Sequence, residues 1–326
     1  MQDNREITNE EVQKASEIIN NLLSYYNSKV VGQPYLGYSL LVAMMTNGHV
    51  LLESVPGLAK TTAARVMTEA VNGSFSRIQC TPDLIPSDII GTQMYNMATN
   101  TFEDKIGPVY SNFVLLDEIN RSSAKTQSAM LEAMQEREVS IGGKTYKLPE
   151  VFVVIATQNP IESEGTYVLS EAQLDRFLMK INMGYPEKDD EVLILNRFLT
   201  SNPEITLEKV ATCEDIIAMK EDAKNVYIHP VLIEYIVELA RMTRNEENVL
   251  TGVSPRGTLG MLNAARAYAY VAGRDYVVPE DIKILAPYVW AHRLVLQAGF
   301  MNRDNKEQII GNVVSKTAVP TEDWNR

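Results

Sequence analysis

Residues Ser54-Val55-Pro56-Gly57-Leu58-Ala59-Lys60-Thr61 lie between a short apolar run, His49 to Leu52, and an amphipathic stretch starting at Thr61 or Thr62. A buried strand that turns through small residues into a helix restricts the fold more than any other feature of this chain. Such a turn aims loop N–H groups and a helix N-terminus at one point, which makes a cradle for anions. Further apolar runs occur at Phe113 to Leu116 and Phe152 to Ala156, each bounded by polar or turn-forming residues. Helical spacing lies between them, over Thr61 to Val71 and Ala124 to Glu136. Strands alternating with helices predict an α/β fold with a largely parallel sheet covered on both faces.

Two helices are expected ahead of this unit, over Asn9 to Lys29 and Pro34 to Thr46, the first opened by a Thr8/Glu11 capping box. Beyond Pro186 the strand signal fades. Asp189 to Leu199, Pro230 to Met242, Pro255 to Ala272 and Pro279 to Leu296 read as helices, with Gly273 as the stop of the third. The expected division is therefore residues 1–186, N-terminal helices plus the α/β domain with its anion cradle, and 187–326, an all-helical domain. The segment after Gly299 is polar and reads as surface. At 326 residues, 45% hydrophobic and 22% charged, the chain can bury a core of that size.

The net charge of -12 argues against nucleic acid as a partner, because such binders carry a basic face. Two distant cysteines, Cys80 and Cys213, exclude a disulfide scaffold or a cysteine-based zinc site. His49, His229 and His292 are too scattered to suggest a metal cluster, so any metal is expected to arrive with a bound ligand. The polar stretch Gln2 to Glu11 does not resemble a secretory signal, and no apolar run is long enough for a bilayer. A cytoplasmic location is expected.

The loop follows the GxxxxGK[ST] spacing, with Ser54 and Ala59 in the two glycine positions. In that arrangement Lys60 reaches the β- and γ-phosphates of ATP and the Thr61 hydroxyl binds Mg²⁺. Phe113 to Leu116 ends in Asp117 and Glu118. Asp117 is placed to hold Mg²⁺, and Glu118 to activate the water that attacks the γ-phosphate. The run Val153 to Ala156 ends in Thr157-Gln158-Asn159-Pro160, where Asn159 can hold that water or the γ-phosphate. Arg176, in Glu171 to Phe177, is the candidate for an arginine finger supplied in trans. Its competing reading is an ion pair with Asp175 or Glu171. Arg256 sits in the first turn of a helix opened by Ser254-Pro255, where the helix dipole favours acids, so a phosphate partner is expected.

Taken in order, LLESVPGLAKT, LLDEINRS, ML.AMQE, IATQNPIE, EAQLDRFLMKI and SPRGTL resemble the MoxR family of AAA+ ATPases, from about Val31 to Leu294. That family usually has glycine where this chain has Ser54, whereas alanine at Ala59 is usual. The resemblance implies a ring homo-oligomer, commonly a hexamer, with ATP between subunits. It places Val31, Gly32 and Gln33 near the adenine, the loop from Ser54 to Thr62 around the phosphates, and Arg256 as sensor 2. It further implies an insert in helix 2 over Gln93 to Asp104 and a hairpin over Val139 to Leu148, both facing the ring pore or a partner. The Gly142-Gly143 pair independently reads as a hairpin turn. Members are chaperone-like and remodel or activate partner proteins, often ones with a von Willebrand A domain.

Three other readings compete with such a motor. One is an ATP-dependent assembly switch with little hydrolysis. Another is a chelatase-type ATPase subunit, and the third, a DNA-acting AAA+ protein, is opposed by the charge.

Overall fold

A computed structural model describes residues 7–54, 57–58, 60–159, 166–200, 209–297 and 303–320. Helix α1 (Asn9–Lys29) opens with the expected capping box. The Glu11 N–H donates to Thr8 Oγ1 at 3.4 Å, and the Thr8 N–H to Glu11 Oε2 at 2.9 Å. Helix α2 (Pro34–Thr46) starts on a proline and stops at Asn47, which takes a left-handed conformation. Then come β1 (Val50–Ser54), α3 (Lys60–Ala70), β2 (Phe75–Gln79), α4 (Pro86–Ile90), β3 (Gly91–Asn96), β4 (Thr101–Ile106) and β5 (Phe113–Asp117). They are followed by α5 (Ala124–Glu136), β6 (Glu138–Ile141), β7 (Lys144–Lys147), β8 (Val153–Gln158), α6 (Glu171–Leu174) and β9 (Met179–Met183).

Five of these strands form one parallel sheet in the order β2-β5-β8-β1-β9. Both faces of the central strands β5, β8 and β1 are buried, and alternate residues divide between two cores. Val50, Leu52, Leu115 and Ile155 face one, while Leu51, Leu116, Val154 and Ala156 face the other. Because every strand runs the same way, their C-terminal ends share one edge, and their N-terminal ends share the opposite edge.

Two antiparallel hairpins stand outside that sheet. The β6–β7 turn has Gly142 and Gly143 at φ 56° and 81°, the left-handed pair that a two-residue hairpin requires. The segment Gln93 to Asp104, expected as an insert, makes up most of the β3–β4 hairpin, which follows directly on helix α4. Tyr146 Oη donates to Asp104 at 2.7 Å and Lys144 pairs with it at 3.2 Å, so the two hairpins are joined.

Downstream come α7 (Lys188–Thr200), α8 (Cys213–Ala223), α9 (Pro230–Asn245), β10 (Val249–Thr251), α10 (Pro255–Val271), α11 (Pro279–Trp290), β11 (Val295–Leu296) and α12 (Arg303–Lys316). Two expectations need correction here. The helix from Pro279 ends at Trp290 and not at Leu296, because His292 and Arg293 turn inward in a short 3₁₀ segment and β11 then pairs with β10. The tail contains a helix, α12, that buries Ile310 and Val313 at the spacing of one helical turn. Among the described residues, no helix is long and apolar enough to cross a membrane.

Candidate functional site

The phosphate-loop residues leave the C-terminal edge of the sheet. Val55, Pro56 and Ala59 fall outside the described residues. Ser54 is the last residue of β1, opposite Met183, and is not among the residues with positive φ. Serine therefore replaces glycine here without backbone strain. Gly57 is different, since its φ of 88° lies in the region that favours glycine, and nothing would meet an added Cβ within 4 Å. Ser54 is buried, and its hydroxyl has no hydrogen-bond partner among the described residues. Helix α3 begins at Lys60, so Lys60, Thr61 and Thr62, all half-buried, form its first turn.

Asp117 ends β5 at the same edge. Its Oδ1 accepts from the Thr157 hydroxyl at 2.8 Å, and its Oδ2 pairs with the Arg77 guanidinium at 2.5 Å. Glu118 follows with φ 58° and ψ 53°, a left-handed conformation that costs a non-glycine residue on the order of 1–3 kcal/mol. Neighbouring strands hold it there. The Glu118 N–H donates to Thr157 Oγ1 at 2.9 Å, while its carboxylate accepts from Arg121 at 3.1 Å and Gln79 at 3.4 Å. Asn159, buried, comes immediately after β8. Below the loop, buried Glu53 pairs with Lys180 at 2.6 Å and accepts from Gln158 at 3.4 Å, which ties β1 to both its neighbours.

The segment Val31 to Gln33 reaches this side too. Gln33 Nε2 donates to the Gly184 carbonyl just beyond β9, at 3.5 Å. Gly32, with φ 73°, lies against Asp190 of α7, whose Oδ2 would be 3.0 Å from an added Cβ.

Oxygen donors at Thr61 and Asp117 suit Mg²⁺, a hard cation. A carboxylate offers about four lone-pair positions, and the two contacts to Thr157 and Arg77 leave room for more. The open space around Gly57 and the first turn of α3 fit a polyphosphate.

Both predicted arginines lie elsewhere. Arg176 precedes β9, whose first residue, Met179, is level with Val50, so it occupies the N-terminal edge of the sheet. Four strand steps put the two edges roughly 13 Å apart. Neither anticipated ion pair forms among the described residues, and Asp175 is held instead by Arg293. The Arg176 guanidinium has no hydrogen bond or ion pair among the described residues. It lines a surface hollow with Gln127, Ser128 and Tyr167. Arg256 is exposed in the first turn of α10 and acts electrostatically on Arg293. The next residue, Gly257, lies against Arg293, where an added Cβ would be 3.1 Å from Cδ, so this turn adjoins the one that carries Arg176.

Sequence reasoning missed Thr157, Arg77, Gln79 and Arg293. Thr157 stands within the recognised IATQN segment, but its bridging role depends on the register of β5 against β8. The polar alternation of Phe75 to Gln79, an edge strand, concealed Arg77 and Gln79.

Comparison with known proteins agrees with this architecture. Residues 49–179 match the ATPase family associated with various cellular activities (AAA), and residues 241–313 match an AAA lid domain. The chain is similar to Chaperone MoxR1 of Mycobacterium tuberculosis, 46% identical over 301 residues, covering 89% of this chain and 79% of that one. It is 45% identical to the uncharacterized protein YeaC of Bacillus subtilis, covering 94% of this chain and 96% of that one. A crystal structure of a candidate ATPase from Cytophaga hutchinsonii is 40% identical, with a TM-score of 0.89, over 96% of this chain and 98% of that one.

Proposed function

This chain belongs to the MoxR family of AAA+ ATPases, and from that membership we propose that ATP is bound and hydrolysed at sites shared between the subunits of a ring, to remodel or activate a partner protein. The observation that carries this reading is the separation of the candidate groups. Asp117, Glu118, Asn159 and the first turn of α3 gather at the C-terminal edge, whereas Arg176 lies at the other and Arg256 precedes Gly257, which packs on the Arg293 side chain that holds the Arg176 turn. An arginine that far from its own phosphate loop is suited to a neighbour's nucleotide.

In this reading the α3 amides and Lys60 bind the β- and γ-phosphates. Mg²⁺, held by Thr61 and Asp117, would neutralise charge on the phosphate oxygens. Glu118, aimed by its left-handed backbone and by Thr157, orients water and accepts its proton. Asn159 positions the same water or the γ-phosphate. Arg176 and Arg256 of the adjacent subunit meet the charge that develops on the transferring group. Val31 to Gln33, between the end of β9 and α7, would border the base. The division at 186/187 then separates the nucleotide-binding domain from a lid.

The joined hairpins supply a surface for the partner. Met94, Tyr95, Met97 and Phe102 are all exposed on β3–β4 or its turn. Such an apolar tip fits a protein better than a nucleic acid, given the net charge of -12. A von Willebrand A domain protein is the family-based candidate.

The test is ATPase rate per subunit across a dilution series with Mg²⁺, with size followed by light scattering. We expect the specific rate to fall as rings dissociate. An unchanged rate in a sample shown to be monomeric would sink the shared site. Glu118→Gln separates motor from switch: partner activation stops in a motor and persists in an assembly switch.

A further inference from the structure

The turn that carries Arg176 is held from far along the chain. Arg293, 118 residues after Asp175, donates from Nη1 to the Asp175 carbonyl at 2.8 Å and also to its carboxylate. Its Nη2 donates to the Phe177 carbonyl at 2.8 Å, and its Nε to the Val289 carbonyl at 2.8 Å. His292 Nε2 lies 3.1 Å from the same Phe177 carbonyl, and the Phe177 ring is fully buried. Both residues flanking Arg176 are thus fixed while its own side chain stays unpaired among the described residues. The clamp is buried, Arg293 being only 9% exposed.

Arg293 also supports the other arginine. A Cβ on Gly257 would come within 3.1 Å of Arg293 Cδ, so the first turn of α10 rests on this side chain. Trp290 Nε1 locks the same turn by donating to the Gly257 carbonyl at 2.9 Å. Arg256 is the residue before Gly257. A planar guanidinium with five N–H groups can satisfy these divergent acceptors at once, which a lysine cannot.

We propose that Arg293 is a positioning residue for hydrolysis across the subunit interface, holding Arg176 and Arg256 as one rigid pair presented to the adjacent subunit's nucleotide. This rests on the shared-site reading above. A misplacement of about 1 Å in a positioned group can cost about 100-fold in rate, so loosening the clamp is felt at the chemistry. The phosphate loop of the same subunit is at the opposite edge and keeps its grip on ATP. The effect of Arg293 therefore falls on kcat and not on KM.

The experiment compares full-length Arg293→Met, Arg293→Lys and Arg176→Ala, each alone and each mixed with Glu118→Gln before ring assembly. Arg293→Met is expected to lose at least tenfold in kcat, with KM for ATP within about twofold and rings still formed. Arg293→Lys, which keeps the charge and loses the fork, is expected to fall between it and the wild type. Mixing is the decisive readout. Glu118→Gln subunits lack their own chemistry but carry an intact arginine pair, so they restore hydrolysis in neighbouring Arg293→Met or Arg176→Ala subunits.

If Arg176→Ala is rescued by mixing and Arg293→Met is not, Arg293 acts within its own subunit and the proposal is overturned. Full activity of Arg293→Met alone overturns it as well. If neither variant is rescued, the shared-site reading itself fails and the proposal falls with it. Should Arg293→Met not fold by circular dichroism, Asp175→Asn takes its place, because it removes the ion pair and keeps the main-chain acceptors. The same kcat loss and the same rescue are then required.

Discussion

At the C-terminal edge of the sheet, acidic groups are enclosed by partners from adjacent strands. Asp117 is gripped by Thr157 and Arg77, and Glu118 by Thr157, Arg121 and Gln79. At the N-terminal edge the arrangement is reversed. The Arg176 and Arg256 guanidinium groups have no hydrogen bond or ion pair among the described residues, while the backbone on both sides of Arg176 is clamped by buried Arg293 and His292, and that after Arg256 by Trp290. A side chain that must act within its subunit can be oriented by contacts to the side chain itself. One that must act on a second subunit has to leave its donors free, so its precision must come from the main chain below it. The two edges are two ways of preorganising charge, and each can be broken separately.

The largest break is expected at Arg176. Arg176→Ala should lower kcat by about 10³-fold or more, the scale of a finger supplied in trans. ATP affinity, measured with a fluorescent nucleotide, should hardly change, since the variant leaves the other edge intact. A variant that hydrolyses at the wild-type rate would assign the N-terminal edge a role other than catalysis.

Acid should weaken the fold through two histidines buried near the N-terminal edge. His49, just ahead of β1, accepts from the Val154 N–H at Nδ1 and lies 3.2 Å from the Met134 carbonyl at Nε2, so it is held neutral. Burial lowers its pKa from 6.5 to about 4. Burial and the adjacent Arg293 charge push His292 in the same direction. As pH falls below 6.5 the unfolded chain takes up a proton that folded His49 resists. Stability is therefore complete above 6.5 and is lost progressively as pH falls towards 4. For His49 alone the loss is about 3 kcal/mol by the lower limit. Thermal melts between pH 7.5 and 4.5 should show this slope, and His49→Gln should flatten it. An unchanged slope in that variant would transfer the effect to other groups.

These edges were not equally legible in the sequence. Three of the five strands that reach the C-terminal edge, β1, β5 and β8, end in or run into a contiguous signature, so Lys60, Thr61, Asp117, Glu118 and Asn159 could be proposed from the sequence. Parallel topology then brings such strand ends together without further information. The N-terminal edge depends on pairing across distance. Asp175 has an arginine beside it in sequence, but its partner in the fold is Arg293, which the helix expected to run to Leu296 would have carried onward. Helix α12 was concealed for another reason: its polar first half outweighed the apolar residues Ile309, Ile310, Val313 and Val314 that dock it.

A smaller break belongs to Thr157, fully buried and placed to orient both acids. Thr157→Val keeps the shape and removes the hydroxyl, leaving the Glu118 amide without its acceptor at a cost of about 1–3 kcal/mol. We expect a kcat loss of about tenfold, corresponding to 1.4 kcal/mol, with the mixing behaviour of a Glu118 variant and not of an Arg176 variant. Rescue patterns matching Arg176→Ala would contradict the division of labour between the edges.

The smallest effect sharpens the comparison at Arg77, the cation that the C-terminal edge keeps for itself. Its pair with Asp117 at 2.5 Å involves a side chain 49% exposed, and such pairs contribute at most about 1 kcal/mol. The guanidinium also stands on a carboxylate that Mg²⁺ would need. Arg77→Ala should therefore lower the Mg²⁺ concentration for half-maximal hydrolysis, by about twofold to fivefold. Raising the salt should narrow the difference, because the exposed pair is screened. A higher Mg²⁺ requirement in the variant would instead make Arg77 a supporter of the metal–phosphate complex. The C-terminal edge would then hold a cation that serves its own nucleotide, as Arg176 is argued to serve the neighbour's.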